Sequence, residues 1–198
     1  MAGSSPIVPS ITAVRRLLAA ARSAGGPYGT VLEVSILALC LPWEAVAIDL
    51  EKIEWATGFV DVPARGGRNR ILVLPGDARA TILRVAGSAS GKGQAVTAGR
   101  GKRLEARYVR LDRLQDHLAN AVPEALQIES WNFHGIRAAG ERALSAAGRL
   151  PAEIATALGR YDRGLQQPRV RAEIAAMALE TWCSILRDTR GQRGRGAG

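Results

Sequence analysis

The chain has 198 residues, of which 47% are hydrophobic and 23% are charged. This length and balance are typical of one globular domain with a core of its own. Lys and Arg number 27 against 18 Asp and Glu, so the formal net charge is +9 and the pI is near 10.7. Such a charge favours a polyanionic partner, with nucleic acid ahead of an anionic membrane surface. A GC-rich genome, which enriches Ala and Arg, would give the same charge without any partner.

Cysteine and histidine are too few for a disulfide framework or a metal centre. Cys40 and Cys183 each stand in apolar sequence, which predicts two isolated buried thiols in a reducing compartment. The chain has only two histidines, so a metal centre built from several His ligands is excluded.

No targeting or membrane segment is predicted. The first ten residues lack the charged and apolar regions of a signal peptide. The longest apolar run, Val34–Ile48, is interrupted by Pro42 and Glu44 and is too short to span a bilayer. We therefore expect a cytoplasmic protein with no membrane partner.

Three helices are predicted at the start of the chain. Ser10–Ala24 has apolar residues at helical spacing and is followed by Gly25-Gly26 and Pro27, which end it. Thr30–Leu41 is apolar on all sides and predicts a buried helix. Pro42 then begins a helix that runs to about Leu50.

A β-hairpin with a basic tip is predicted next. Phe59–Val62 and Ile71–Leu74 are short β-type runs, separated by a turn that contains Gly66-Gly67. The cations of the hairpin are Arg65, Arg68 and Arg70. A helix is expected at Asp77–Val85.

The rest of the chain predicts a basic loop, four helices and a tail. Gly87–Arg103 is a mobile loop rich in Gly, Ser and Ala. Its cations are Lys92, Arg100, Lys102 and Arg103. The helices are expected at Leu111–Ala121, Phe133–Ala147, Pro151–Leu158 and Arg169–Arg187. Residues 188–198 form a disordered Arg/Gly tail, either touching nucleic acid or merely solvated. The predicted fold class is α+β, mainly helical, with one small antiparallel sheet and a single domain over residues 1–187.

His134 and Arg137 stand one helical turn apart where the helix at Phe133 opens. Their imidazole and guanidinium could grip a phosphate together, the arginine through its planar fork and the histidine as a donor or proton carrier. They could equally be a polar pair with ordinary surface partners.

The segment around Glu44 and the hairpin resemble two parts of the catalytic domain of the tyrosine recombinases, the phage-integrase family. Between Ala38 and Glu54, the family's Thr-Gly-x-Arg-x-x-Glu helix and the segment after it are matched at Glu44, Ile48, Ile53 and Glu54. Leu41 stands where the family has its first catalytic arginine. In the hairpin turn, Arg65 replaces the family's lysine.

Two later motifs continue the resemblance, which covers roughly Pro9 to Leu186 in all. The His-x-x-Arg box is matched by His134 and Arg137, after a preceding Trp131. Leu158-Gly159-Arg160 resembles the family's Leu-Gly-His, with arginine in place of histidine. Tyr161 follows at once, whereas the family's tyrosine nucleophile comes several residues later.

The resemblance implies a tyrosine hydroxyl that attacks a DNA phosphodiester and forms a covalent phosphotyrosyl link, without metal or nucleotide cofactor. It assigns catalytic positions to His134, Arg137, Arg65, Arg160 and Tyr161. It implies double-stranded DNA and other recombinase protomers as partners, and a chain that lacks the family's N-terminal core-binding domain. Because Leu41 cannot bind an oxyanion and the usual tyrosine is missing, we expect impaired catalysis.

Three functions follow from these observations. The first is a DNA-binding, integrase-like protein with impaired catalysis, in which the hairpin and loop cations Arg65, Arg68, Arg70, Lys92, Arg100, Lys102 and Arg103 contact DNA. The second is an active recombinase with Tyr161 as its nucleophile. The third is a helical regulatory or interaction protein with no role in strand exchange.

Overall fold

The computed structural model describes residues 8–64, 68–88, 131–160 and 167–188. Within these ranges the chain is mainly helical, with one two-stranded antiparallel sheet, so the predicted α+β class is confirmed. The elements are α1 (Ile11–Ala24), α2 (Gly26–Leu37), α3 (Pro42–Val46), a short 3-10 helix (Leu50–Lys52), β1 (Phe59–Ala64), β2 (Arg68–Val73), α4 (Gly76–Ser88), α5 (Phe133–Ala146), α6 (Pro151–Ala157) and α7 (Pro168–Arg187). None of the helices in these ranges combines the length and hydrophobicity that a bilayer span requires.

α1 and α2 are joined at Gly25 and pack closely against each other. The Ser10 hydroxyl accepts a hydrogen bond from the Ala13 amide (3.1 Å) and begins α1 as predicted. α2 begins at Gly26, earlier than predicted, because a proline in the first turn suits a helix start. A Cβ on Gly29 would lie 2.4 Å from the Ala21 carbonyl oxygen, so only glycine allows the two helices to approach this closely.

α2 is the central helix of the core, and its C-terminal end is completed by distant side chains. It ends at Leu37 rather than at the predicted Leu41, and Leu39 takes the left-handed conformation with φ 47°. The Trp182 indole donates to the Ile36 carbonyl (2.8 Å), the Cys183 thiol to Leu37 (3.8 Å) and the Arg137 guanidinium to Leu39 (2.9 Å). The carbonyls of Leu37 and Leu39 thus find partners in α7 and α5, and Trp182 adds a second donor to the Ile36 carbonyl, which the Leu39 amide also reaches (3.4 Å).

The hairpin is confirmed, with Phe59 opposite Val73 and Val62 opposite Arg70. Alternate residues of β1 point into the core, and Val60 and Val62 are fully buried. Before it, α3 ends at Val46 instead of near Leu50, and the 3-10 helix takes over part of the remaining segment.

The C-terminal helices lie close to their predicted bounds. Asn132 begins α5 by accepting a hydrogen bond from the Gly135 amide (2.7 Å). α7 buries Ala175, Leu179, Trp182 and Leu186 at helical spacing, which places one side of it against the core. In α4 the prediction was wrong at one end, because Gly87 and Ser88 belong to the helix and not to a loop.

Candidate functional site

Arg137 is an internal residue that joins two segments of backbone. It is 8% exposed, and its guanidinium donates to the carbonyl of Leu39 (2.9 Å) and to the carbonyl of Leu158. These contacts tie the connection between α2 and α3 to the end of α6. Burial lowers the pKa of Arg137, and the positive charge of Arg70 adds to this, while the carboxylate of Glu44 opposes it.

His134 has a different environment from Arg137 although both lie on the first turns of α5. The histidine is exposed, whereas the arginine is buried. The spacing predicted that both side chains bind one phosphate. In the structure the His134 side chain is at the surface, while the Arg137 side chain is bonded to backbone carbonyls.

Glu44 and Arg70 form an enclosed ion pair beside Arg137. The Arg70 Nε lies 2.6 Å from Glu44 Oε1, and the two side chains are 10% and 5% exposed. The second carboxylate oxygen of Glu44 accepts from the Leu41 amide (2.7 Å) at the start of α3. The sequence placed Arg70 among the DNA-contacting cations of the hairpin. In the structure it is largely buried, since its guanidinium bonds to a carboxylate 26 positions earlier.

Gly159 makes room for Arg70 at the end of α6. It has φ +65°, and a Cβ there would lie 2.6 Å from the Nη1 atom of Arg70. The Leu-Gly-Arg motif therefore places a residue without a side chain against the buried guanidinium.

Arg160 is the exposed cation of this region. Its side chain is 53% exposed, and its Nη1 lies 2.7 Å from Glu141 Oε2 on α5. Just before it in the chain, the Leu158 carbonyl accepts from Arg137 and Gly159 lies against Arg70. Arg70, Arg137 and Arg160 thus meet at the end of α6, the first two coming from β2 and α5. We call Glu44 and these three arginines the arginine cluster.

Cys40 lies against the cluster and is not a reactive thiol. It is fully buried, and burial, followed by the negative charge of Glu44, raises its pKa to about 12. The thiol is therefore protonated at neutral pH, and a protonated, enclosed thiol is a poor nucleophile.

A cavity of about 350 Å³ lies between the hairpin, α6 and α7. Arg70 and Ile71 of β2 form one wall, while Thr156 and Arg171 contribute from the helices. Sequence reasoning missed Glu141 and the pairing role of Glu44, because their ion pairs join residues 19 and 26 positions apart in different elements. It also missed Arg171, which lines this cavity from α7.

Several predicted site residues lie outside the described residues. These are Arg65, Lys92, Arg100, Lys102, Arg103 and Tyr161, as well as the side chain of Arg68 at the start of β2. Leu41 is described, and it occupies the position that precedes the first turn of α3.

No protein-family model, curated protein or solved structure matches this chain.

Proposed function

We propose that this chain is a DNA-binding, integrase-like protein of the tyrosine recombinase family with impaired catalysis. The motif resemblance and the net charge of +9 support a duplex DNA partner. The observation that carries the proposal is geometric: Arg137 bonds to the Leu158 carbonyl and Arg70 lies against Gly159, so two distant arginines meet at the residues that precede Arg160.

The expected loss of catalysis follows from the contacts that these arginines make within the protein. Arg137 donates to two backbone carbonyls and Arg70 to the Glu44 carboxylate, so both guanidiniums already have protein partners. Leu41 brings no cation to the start of α3. Losing one preorganised donor typically costs about 2.7–4 kcal/mol of transition-state stabilisation. Among the described residues of the recombinase-like motifs, His134 and Arg160 are exposed and could contact a DNA phosphate.

A salt titration of duplex binding tests the DNA-binding part. We expect the logarithm of the affinity to fall linearly with the logarithm of the salt concentration, as phosphate contacts require. Arg160→Ala should reduce the slope by about 1, the loss of one phosphate contact. The matched control is Arg187→Ala, which removes a similarly exposed arginine (60%) that is paired with Asp77. An affinity that does not depend on salt, or an equal effect of both variants, would contradict the proposal.

A suicide DNA substrate, followed by a denaturing gel, tests the impairment. We expect no covalent adduct between protein and DNA. An adduct that Tyr161→Phe removes would instead support the active recombinase with Tyr161 as its nucleophile.

A helical interaction protein without any role in strand exchange is the second candidate. The burial of Arg137 and Arg70 favours it, because both side chains stabilise the fold through internal contacts. A wild-type protein that is folded but binds no duplex at low salt would support this candidate over the first.

A further inference from the structure

Away from the arginine cluster, one carboxylate is clamped between two arginines at the junction of three helices. Glu33 is 2% exposed and lies in the middle of the buried helix α2. Its Oε1 lies 2.7 Å from Arg22 Nε on α1, and its Oε2 lies 2.7 Å from Arg84 Nη2 on α4. Two positive charges against one negative charge leave the group with a net charge of +1.

The two arginines keep much of their guanidinium groups accessible. The side chains of Arg22 and Arg84 are 46% and 59% exposed, whereas that of Glu33 is 3% exposed. A guanidinium has five N–H donors. In the part of the chain that the structure describes, each arginine uses one nitrogen on Glu33, so most of its donors are left for another acceptor.

Both arginines line one cavity of about 230 Å³ at the turn between α1 and α2. Gly25 and Gly26 form part of its wall, and a Cβ on either would meet no atom within 4 Å. No described side chain therefore covers this part of the wall, and the backbone of the two glycines is accessible from the cavity.

We propose that this cavity binds a phosphate-type oxyanion between Arg22 and Arg84. The planar guanidinium groups can donate paired hydrogen bonds to the oxygens of such an anion. The buried Glu33 carboxylate fixes the position of both groups in the absence of ligand. That preorganisation reduces the entropy cost of binding. A free inorganic phosphate and a backbone phosphate of nucleic acid share this chemistry.

Isothermal titration with inorganic phosphate at constant ionic strength tests the proposal. We expect one saturable site per chain in the wild type. Arg84→Ala should weaken the affinity about tenfold or more, because it removes charge-assisted hydrogen bonds. The matched control is Arg187→Ala, whose side chain is 60% exposed and is also paired with one carboxylate. It should change the affinity less than about twofold, since it lies outside the cavity.

Circular dichroism checks that Arg84→Ala is folded. If it is not, Arg84→Lys replaces it, because a lysine keeps a charge beside Glu33 but lacks the planar fork. This variant should weaken phosphate binding several-fold. The proposal is overturned if the wild type shows no saturable binding, or if the variants at position 84 and the control lose affinity equally.

A second titration, with duplex DNA, identifies the source of the anion. A duplex that competes with inorganic phosphate, and that binds less tightly to the Arg84 variant, supports a nucleic-acid phosphate. A duplex affinity that is independent of Arg84 supports free phosphate. This site does not depend on the function proposed for the arginine cluster, which is tested through Arg160.

Discussion

Glu33 and Glu44 are both buried carboxylates paired with arginine, but their partners differ in exposure. Glu44 binds one arginine, Arg70, that is itself 10% exposed, and it also accepts from a backbone amide. Glu33 binds two arginines that are about half exposed. Where the cation is buried, the pair serves the fold and has few donors to offer a ligand. Where the cation stays exposed, the same pairing leaves donors available at a surface.

The largest effect is expected from Glu44→Ala. This change leaves the buried Arg70 without its carboxylate and removes the acceptor for the Leu41 amide. Breaking a buried pair by removing one partner costs about 3–5 kcal/mol of unfolding free energy, to be measured by urea denaturation. Glu141→Ala is the control, because its pair with Arg160 is exposed and should cost at most about 1 kcal/mol. A cost for Glu44→Ala as small as that of the control would contradict the enclosed pair.

Arg137→Ala should follow, with a loss of about 2–4 kcal/mol in the same measurement. It leaves the carbonyls of Leu39 and Leu158 without their charged donor in a buried site. In the duplex titration, Arg137→Lys should have less effect than Arg160→Ala, because Arg137 faces backbone and not solvent. A greater loss of DNA affinity from Arg137→Lys would mean that this guanidinium contacts the DNA directly.

The thiol of Cys40 makes the enclosed region sensitive to alkaline pH. Its pKa is raised to about 12 in the folded protein, against an ordinary value of 9.0. Above that ordinary value the unfolded chain releases the proton while the folded chain keeps it, so stability falls as pH rises. Between pH 9 and 10 the loss should be about 1 kcal/mol for this thiol. Cys183 is raised similarly, so Cys40→Ala should remove about half of the thiol contribution. If the free energy of unfolding of Cys40→Ala depended on pH as in the wild type, the raised pKa of Cys40 would be contradicted.

The smallest effect on stability is expected from Arg84→Ala. Glu33 keeps Arg22 as a partner, and solvent screens the half-exposed Arg84, so the loss should be about 1 kcal/mol. Arg70→Ala is the direct comparison and should cost several-fold more, because it leaves Glu44 buried without its cation. Equal losses in thermal or urea unfolding would show that exposure does not separate the two pairs.

Within the described residues, most helix and strand positions could be predicted from the sequence, because they depend on local patterns; the predicted helix Leu111–Ala121 lies outside these residues. Ser10 and Pro42 mark helix starts, and the hairpin follows from β-type runs on either side of a glycine turn. The end of α2 was predicted too late, since the left-handed backbone at Leu39 is stabilised by a contact with Arg137, 98 positions away.

The candidate site could be predicted only in part. The sequence singled out Arg137 and Arg160, but the destination of each side chain depends on tertiary packing. Arg70 was predicted to contact DNA from its place in the hairpin, and nothing in the sequence indicated that its side chain packs against Glu44 and Gly159. Spacing along one helix indicates which residues share a face. It does not indicate whether a carboxylate or carbonyl from another segment packs against that face.

The long-range hydrogen bonds at the end of α2 have a consequence for how the protein is made. The side-chain donors for Ile36, Leu37 and Leu39 are Trp182, Cys183 and Arg137, respectively, which a ribosome adds about 100 or more residues after the acceptors. At synthesis rates of about 5–20 residues per second, the end of α2 is made roughly 5–30 s before these donors. During that interval the apolar helix α2 can pack only against elements made before α5, which include α1, α3 and α4.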